Sequence, residues 1–303
     1  MAEKETDAQT YAKALTSFVE NGKGLLELAE QESKEGLLQD YIRKKIRIEL
    51  DQSLLGLIPA GARLFTSMSV KKKKDADELW KRSYQCAEMQ DAVEDFLQLG
   101  VQWDSFLEYL DKELHLGDRI FGQEPQVKCL SPDIPLIDAQ TGATLTLGKY
   151  LGRGEKVLLV LIRQFSCLLC RIHLKDLEAH KIALDACSVQ VVVVSFGCRE
   201  GALHWLAETG CQYDMVLDPH RKVYSAFGLR ASLKKVLNFN NMLLYAEYVV
   251  ANLEFPRGLP SIEDDMFQLG GDFVLDDQGR VLFSHCCDSP IDRPAVEDIL
   301  KAL

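Results

Sequence analysis

The chain has 303 residues, 47% hydrophobic and 27% charged, which is enough apolar material for one large or two ordinary domains and is neither a disordered nor a fibrous composition. A formal net charge of -11 excludes the broad basic surface on which nucleic-acid affinity rests, and the apolar runs are far too short to cross a bilayer, so neither nucleic-acid binding nor membrane insertion is expected. The polar, acidic start MAEKETDAQTYAK lacks an apolar signal core, and the nine cysteines are scattered with only one C-x-x-C spacing, so a cytoplasmic, reducing location is expected.

From Thr10 to about Leu116 apolar residues recur at three- and four-residue steps: Tyr11, Leu15, Phe18 and Val19, then Leu37, Leu38, Tyr41, Ile42 and Ile46. No strand pattern interrupts them, so residues 1–117 form an all-α region of four or five helices. Leu57-Ile58-Pro59-Ala60-Gly61 is expected to break or kink the chain. Lys71 to Lys74 read as a solvated loop, Asp75 and Glu78 have capping-box spacing, and the helix they open runs to Gly100, with a short one from Trp103 to Leu116. Residues 118–127, rich in turn formers, read as a linker to a second domain at 128–303.

That domain opens with two short strands around the Thr141-Gly142 turn, then the strand Val157 to Ile162, a helix to about Cys187 and the strand Val189 to Phe196. Continuous β-branched strands joined by a helix predict a βαβ unit with a buried parallel sheet. A helix from Arg199 to Thr209, a strand from Met215 to Asp218, a turn or two of helix from Arg221, and a long helical stretch from Ala231 to Ala251 follow. A hairpin at 272–285 and a helix from about Pro294 close the chain. This order is that of a thioredoxin-like α/β domain, preceded here by the all-α region.

The chemistry centres on KVLLVLIRQFSCLLCRIHL, residues 156–174, where a strand delivers Cys167 and Cys170 to the first turn of a helix. Unpaired amides and the positive end of the helix dipole favour a thiolate there, most strongly at the thiol nearer the helix start. Cys167 is therefore expected to attack and Cys170, one turn on, to resolve. Arg163, Arg171 and Lys175 could add to the effect, with Arg163 favoured. A metal site on Cys167, Cys170 and His173 is the rival, but no second C-x-x-C or H-x-x-x-H completes a tetrahedral set, so no metal is expected. Cys187, Cys198 and Cys211 read as buried small hydrophobes, and Cys286 and Cys287 as strand neighbours that face opposite ways.

The anchors Leu161 to Arg171, VVVVSFG (191–197), Leu217-Asp218-Pro219 with Tyr224, Phe227 and Gly228, and Gly270-Gly271-Asp272-Phe273 resemble the peroxiredoxin-like branch of the thioredoxin superfamily. That is the alkyl hydroperoxide reductase/thiol-specific antioxidant group that includes selenoprotein U, and within it the chain resembles the selenoprotein L group, with cysteine here at both redox positions. The resemblance implies an oxidoreductase that acts without a bound cofactor and is reset by an external thiol system such as thioredoxin or glutathione. A disulfide, a peroxide or, as for one relative, a prostaglandin endoperoxide would be its substrate. Two departures stand out. The Pro-x-x-x-Thr-x-x-Cys loop of ordinary peroxiredoxins has Gln164 at the threonine position, and the thioredoxin cis-proline is replaced by Gly270-Gly271. Substrate backbone is then expected to approach at Ser166, Gly270 and Gly271. The alternative of another class is a non-enzymatic redox sensor or adaptor that binds a partner through the N-terminal helices.

Overall fold

The computed structural model describes residues 2–35, 53–116, 127–259, 261–262 and 265–303. The expected stripe from Leu37 to Ile46, and all of the linker 118–127 except Val127, lie outside them. The described chain divides into two units: residues 1–115 with 237–254, and residues 116–236 with 255–303. A single boundary near residue 120 is therefore not the division the structure shows, because Leu237–Glu254 packs with the helical unit.

The helical unit contains helices Ala2–Glu35, Leu57–Ser67, Lys73–Ser83 and Ala87–Glu113, with Phe239–Val250 inserted from the later sequence. Three expectations are corrected by local physics. Pro59 does not break the chain, because it sits in the first turn of Leu57–Ser67, where a backbone N–H has no intrahelical acceptor and the ring is tolerated. Lys73 and Lys74 are helical rather than looped, and Asp75 is not the cap; instead Glu247 accepts the Lys73 backbone N–H at 2.8 Å. Gly100 does not end a helix but lies within Ala87–Glu113, where a Cβ would stand 2.9 Å from the Phe239 ring. Phe96 meets Trp80 and Phe239 edge-on, with ring centroids 5.0 and 5.1 Å apart, and Phe18 at a tilt, 5.7 Å away, which makes an aromatic core. Buried Trp103 donates its indole N–H to the Leu237 carbonyl at 2.9 Å.

The second unit is built on seven strands: β1 (Pro135–Asp138), β2 (Thr144–Thr146), β3 (Lys156–Leu161), β4 (Val189–Ser195), β5 (Asp214–Leu217), β6 (Gly271–Leu275) and β7 (Val281–Cys286). They form one sheet in the order β2-β1-β5-β4-β3-β6-β7. β3, β4 and β5 are parallel, β6 runs antiparallel beside β3, and β7 completes the hairpin. Alternate residues of β3 face opposite sides, and both sides are covered: Leu158 and Val160 share a core with Leu174, Leu177 and Trp205, while Val157 and Leu159 share one with Tyr150, Tyr224 and Phe227. Hence β3 and β4 read as unbroken apolar runs. The first crossover is two helices, Leu168–Ala179 and Lys181–Ala186, hinged at His180, rather than the single helix expected to Cys187. The stretch 231–251 is likewise two helices, Leu233–Leu237 and Phe239–Val250, parted at Asn238. Among the described residues, no helix is long and apolar enough to cross a membrane.

Candidate active site

β3 ends at Leu161, and residues 162–166 turn the chain into the helix Leu168–Ala179. Two anchors fix that turn. Buried Tyr224 donates its hydroxyl to the carbonyls of Ile162 (2.7 Å) and Val194 (3.0 Å), tying the ends of β3 and β4 together. Phe165 lies against Gly197 and Gly201; a Cβ at the latter would stand 3.0 Å from Ile262 and still closer to the Phe165 ring, so side chains there would expel it. The dithiol is thus held at the carboxyl ends of the parallel strands, where such sheets place their chemistry.

Cys167 is the N-cap residue of the helix, with extended φ and ψ of -75° and 105°, and its Sγ accepts the Cys170 backbone N–H at 3.2 Å. Cys170 Sγ accepts the Arg163 backbone N–H at 3.5 Å and Nη2 of Arg293 at 3.5 Å. Both thiols are free and nearly sealed, 4% and 1% exposed. Ser166, beside them, is only half-buried.

The two sulfurs do not share charge equally. Burial pushes Cys167 well above the usual thiol range, and the hydrogen bond and charge of Cys170 push the same way. Burial also works to raise Cys170, but the hydrogen bond from Cys167, the Arg293 and Arg163 guanidiniums and the Arg163 amide prevail, and Cys170 is held well below it. A full charge 3.5 Å away is worth roughly 5 kcal/mol at an effective dielectric near 20. A neutral N–H contributes only about 1 kcal/mol net. Asp272, bonded to the same guanidinium, offsets part of the larger figure.

Arg293 itself is locked. Nη1 donates to Asp272 Oδ2 at 2.8 Å and the Gly271 carbonyl at 3.3 Å, and Nη2 donates to the Leu161 carbonyl at 2.9 Å as well as to Cys170. Asp272, wholly buried, pairs through Oδ1 with Nε2 of buried His173 at 2.8 Å. Burial works to raise the Asp272 carboxyl, but Arg293 and His173 hold it below the ordinary carboxylate value.

Arg163 takes part differently from the expectation. Its guanidinium binds the carbonyls of Met266 (2.6 Å) and Gln268 (3.2 Å), and only its backbone touches Cys170. Arg171 binds the Phe165 carbonyl and Glu208, and Lys175 is exposed. His173 faces Asp272 and not the sulfurs, and among the described residues no group of three or more His, Cys, Asp and Glu is placed to hold a metal. Gly270 and Gly271 are buried, and their lack of a side chain has a visible cause: a Cβ on Gly270 would meet the Leu161 carbonyl and Arg293, and one on Gly271 the His285 carbonyl at 2.6 Å. Of the thiols expected to be buried, Cys211 is, Cys187 is partly exposed and Cys198 is exposed.

Sequence reasoning missed Arg293, Asp272 and His173 as a set. They come from the C-terminal loop, β6 and the dithiol helix, and no local spacing joins them. The sole hint was a charged residue inside the apolar strand Asp272-Phe273-Val274-Leu275.

The sheet order, with a dithiol opening the first crossover helix, is that of a thioredoxin-like fold extended by the β1–β2 hairpin. A family model described as AhpC/TSA antioxidant enzyme matches residues 176–288, a span that begins after the dithiol and ends before Arg293. Peroxiredoxin-like 2C of Mus musculus is 21% identical over 175 residues, 56% of this chain and 76% of that protein. Prostamide/prostaglandin F synthase of Danio rerio is 28% identical over 182 residues, 55% and 83% of the two chains. Among solved structures, peroxidoxin BcpB of Mycobacterium tuberculosis overlaps 59% of this chain and 96% of its own, at 15% identity and a TM-score of 0.42. The domain thus has a thioredoxin-like fold and is similar in sequence to peroxiredoxin-like proteins.

Proposed function

We propose that the protein is a thiol–disulfide redox enzyme in which Cys167 attacks a disulfide or oxidised group and Cys170 releases the product by closing an internal disulfide. The observation that carries this reading is the sealed pair itself, with the Cys170 amide on Cys167 Sγ and a guanidinium on Cys170 Sγ. Cys211, by contrast, is pushed up to about 11 by burial and by the nearby Glu178 carboxylate, against a hydrogen bond from the Tyr213 amide. Substrate contact is assigned to half-buried Ser166 rather than to buried Gly270 and Gly271, whose space Arg293 and neighbouring backbone fill.

The pair needs no cofactor and would be reset by a thioredoxin or glutathione system in a reducing compartment such as the cytoplasm. The likeness to the selenoprotein U and L groups rests on the anchors from Leu161 to Phe273 quoted above and is part of this proposal. Peroxide reduction is the second reading, favoured by the AhpC/TSA match and disfavoured by Gln164, which offers no hydroxyl where a peroxide would bind. Consumption of insulin disulfides and of hydrogen peroxide by the wild type and by Cys167→Ser distinguishes the two. Disulfide turnover that vanishes in the variant is expected. If neither substrate is consumed and the variant behaves as the wild type, the protein is a sensor or adaptor instead.

A further inference from the structure

We propose that Arg293, set in place by Asp272 and His173, keeps the negative charge of the reduced pair on Cys170, so that Cys170 is the base that takes the Cys167 proton when Cys167 attacks. This rests on the dithiol reading above and adds the division of labour within it.

The helix start alone favours charge on Cys167, and one amide does point there, at 3.2 Å. Cys170 has an amide and a guanidinium, each at 3.5 Å, and a full charge in a sealed site outweighs a dipole. The guanidinium is not free to swing away. Two of its four contacts are backbone carbonyls, and a third is a carboxylate anchored by His173. Gly270 leaves the space it occupies. A buried ion pair is a weak source of stability and costly to assemble, so a buried Arg–Asp–His set aimed at one sulfur calls for a task other than stability.

The groups that face Cys170 are Cys167, the Arg163 backbone and charge, Arg293, and farther off Tyr224 and Cys287. Burial keeps Tyr224 far above its ordinary value and pushes Cys287 up to about 12, so both stay neutral near pH 7. The proton on Cys167 is then the one available to move.

The step balances. Cys167 passes its proton to the Cys170 thiolate and becomes the nucleophile; its sulfur bonds to one sulfur of the substrate disulfide while the other leaves as a thiolate. Cys170 then gives that proton to the departing thiolate, bonds to Cys167 and expels the second sulfur. Two electrons and one proton pass from the pair to the substrate, and solvent protonates the last thiolate. Arg293 and Asp272 touch no substrate, which makes them positioning residues.

Thiolate absorbance near 240 nm, titrated on the reduced full chain, tests the assignment without reference to turnover. Cys167→Ser is expected to retain the thiolate at pH 7 and Cys170→Ser to lose it; the reverse pattern overturns the proposal. Arg293→Gln is expected to raise the midpoint by more than one pH unit, Arg293→Lys by less, and His173→Gln in the same direction by a smaller amount still. An unmoved midpoint in both Arg293 variants also overturns it. Alkylation of Cys167, mapped by mass spectrometry, is expected to slow about a hundredfold at pH 7 in Cys170→Ser and to recover above pH 9. An unchanged rate at pH 7 removes Cys170 as the base.

Discussion

The two units bury different things. In the helical unit the sealed polar side chains among the described residues are Ser53 and Asn241, neither of them charged, and the interior is filled by Leu15, Phe65, Phe96, Leu99 and Trp103. In the sheet unit Arg163, His173, Asp218 and Asp272 are all buried, and Arg293 leaves 6% of its side chain exposed. Apolar interiors are paid for in volume alone, whereas buried charge must be matched atom by atom. The contrast teaches where chemistry sits: Arg163, His173, Asp272 and Arg293 gather at the carboxyl end of β3, around the dithiol.

The sharpest way to break this comparison is an isosteric change that deletes charge and keeps shape. Asp272→Asn is expected to destabilise the sheet unit by about 3–5 kcal/mol, because Arg293 is left buried without its counter-ion. Hydrogen exchange in β3 and β6 would read the loss, and a cost below about 1 kcal/mol would show that the pair is solvated after all. The pH dependence has a fixed sign. The folded carboxyl is held below its ordinary value, so its contribution is complete above roughly pH 4 and is lost as pH falls through the lower folded value. The gap between wild type and Asp272→Asn should therefore be constant from pH 5 to 7 and should close under acid.

Its counterpart in the helical unit is a change of volume with no change of charge. Phe96→Ala removes the ring that touches Trp80, Phe18 and Phe239, and is expected to cost about 3 kcal/mol through lost burial and the cavity left behind. Near-ultraviolet circular dichroism of Trp80 and Trp103 would report the loosened core. Phe96→Leu, which keeps most of the volume, should cost less than half as much.

How legible each unit was in the sequence follows from the same contrast. β3 and β4 announce themselves because a sheet covered on both faces needs apolar residues at every position, and the helix Arg199–Thr209 ends at Gly210, whose φ of 65° suits the left-handed cap. The dithiol was legible because its partners are local: a strand end, a helix start and a three-residue spacing. Arg293 was not, since its distance from Cys170 is fixed by the C-terminal loop and by Gly270, not by any repeat. Pro59 and Gly100 misled for one reason: propensity marks them as breakers, yet a first-turn position and a close aromatic neighbour make each compatible with a helix. The membership of Phe239–Val250 was hidden as well, because an apolar helix buries against whatever apolar face it reaches and its pattern does not name that face.

Asn238 offers the smallest and most local test of that membership. It is the N-cap of Phe239–Val250, and its side-chain oxygen accepts the Asn241 backbone N–H at 2.9 Å. Asn238→Ala removes that acceptor and should cost about 1 kcal/mol. Because the helix packs with the helical unit, the loss should appear as faster amide exchange in Phe239–Val250 and in Ala87–Glu113, whose Asp104 accepts the Phe239 N–H at 2.8 Å. Exchange in β3, β4 and β6 should stay as in the wild type, although the substituted residue lies, in sequence, between strands β5 and β6 of that sheet. Equal acceleration in both sets of amides would mean that the two units unfold as one, and the contrast between them would then describe composition and not stability.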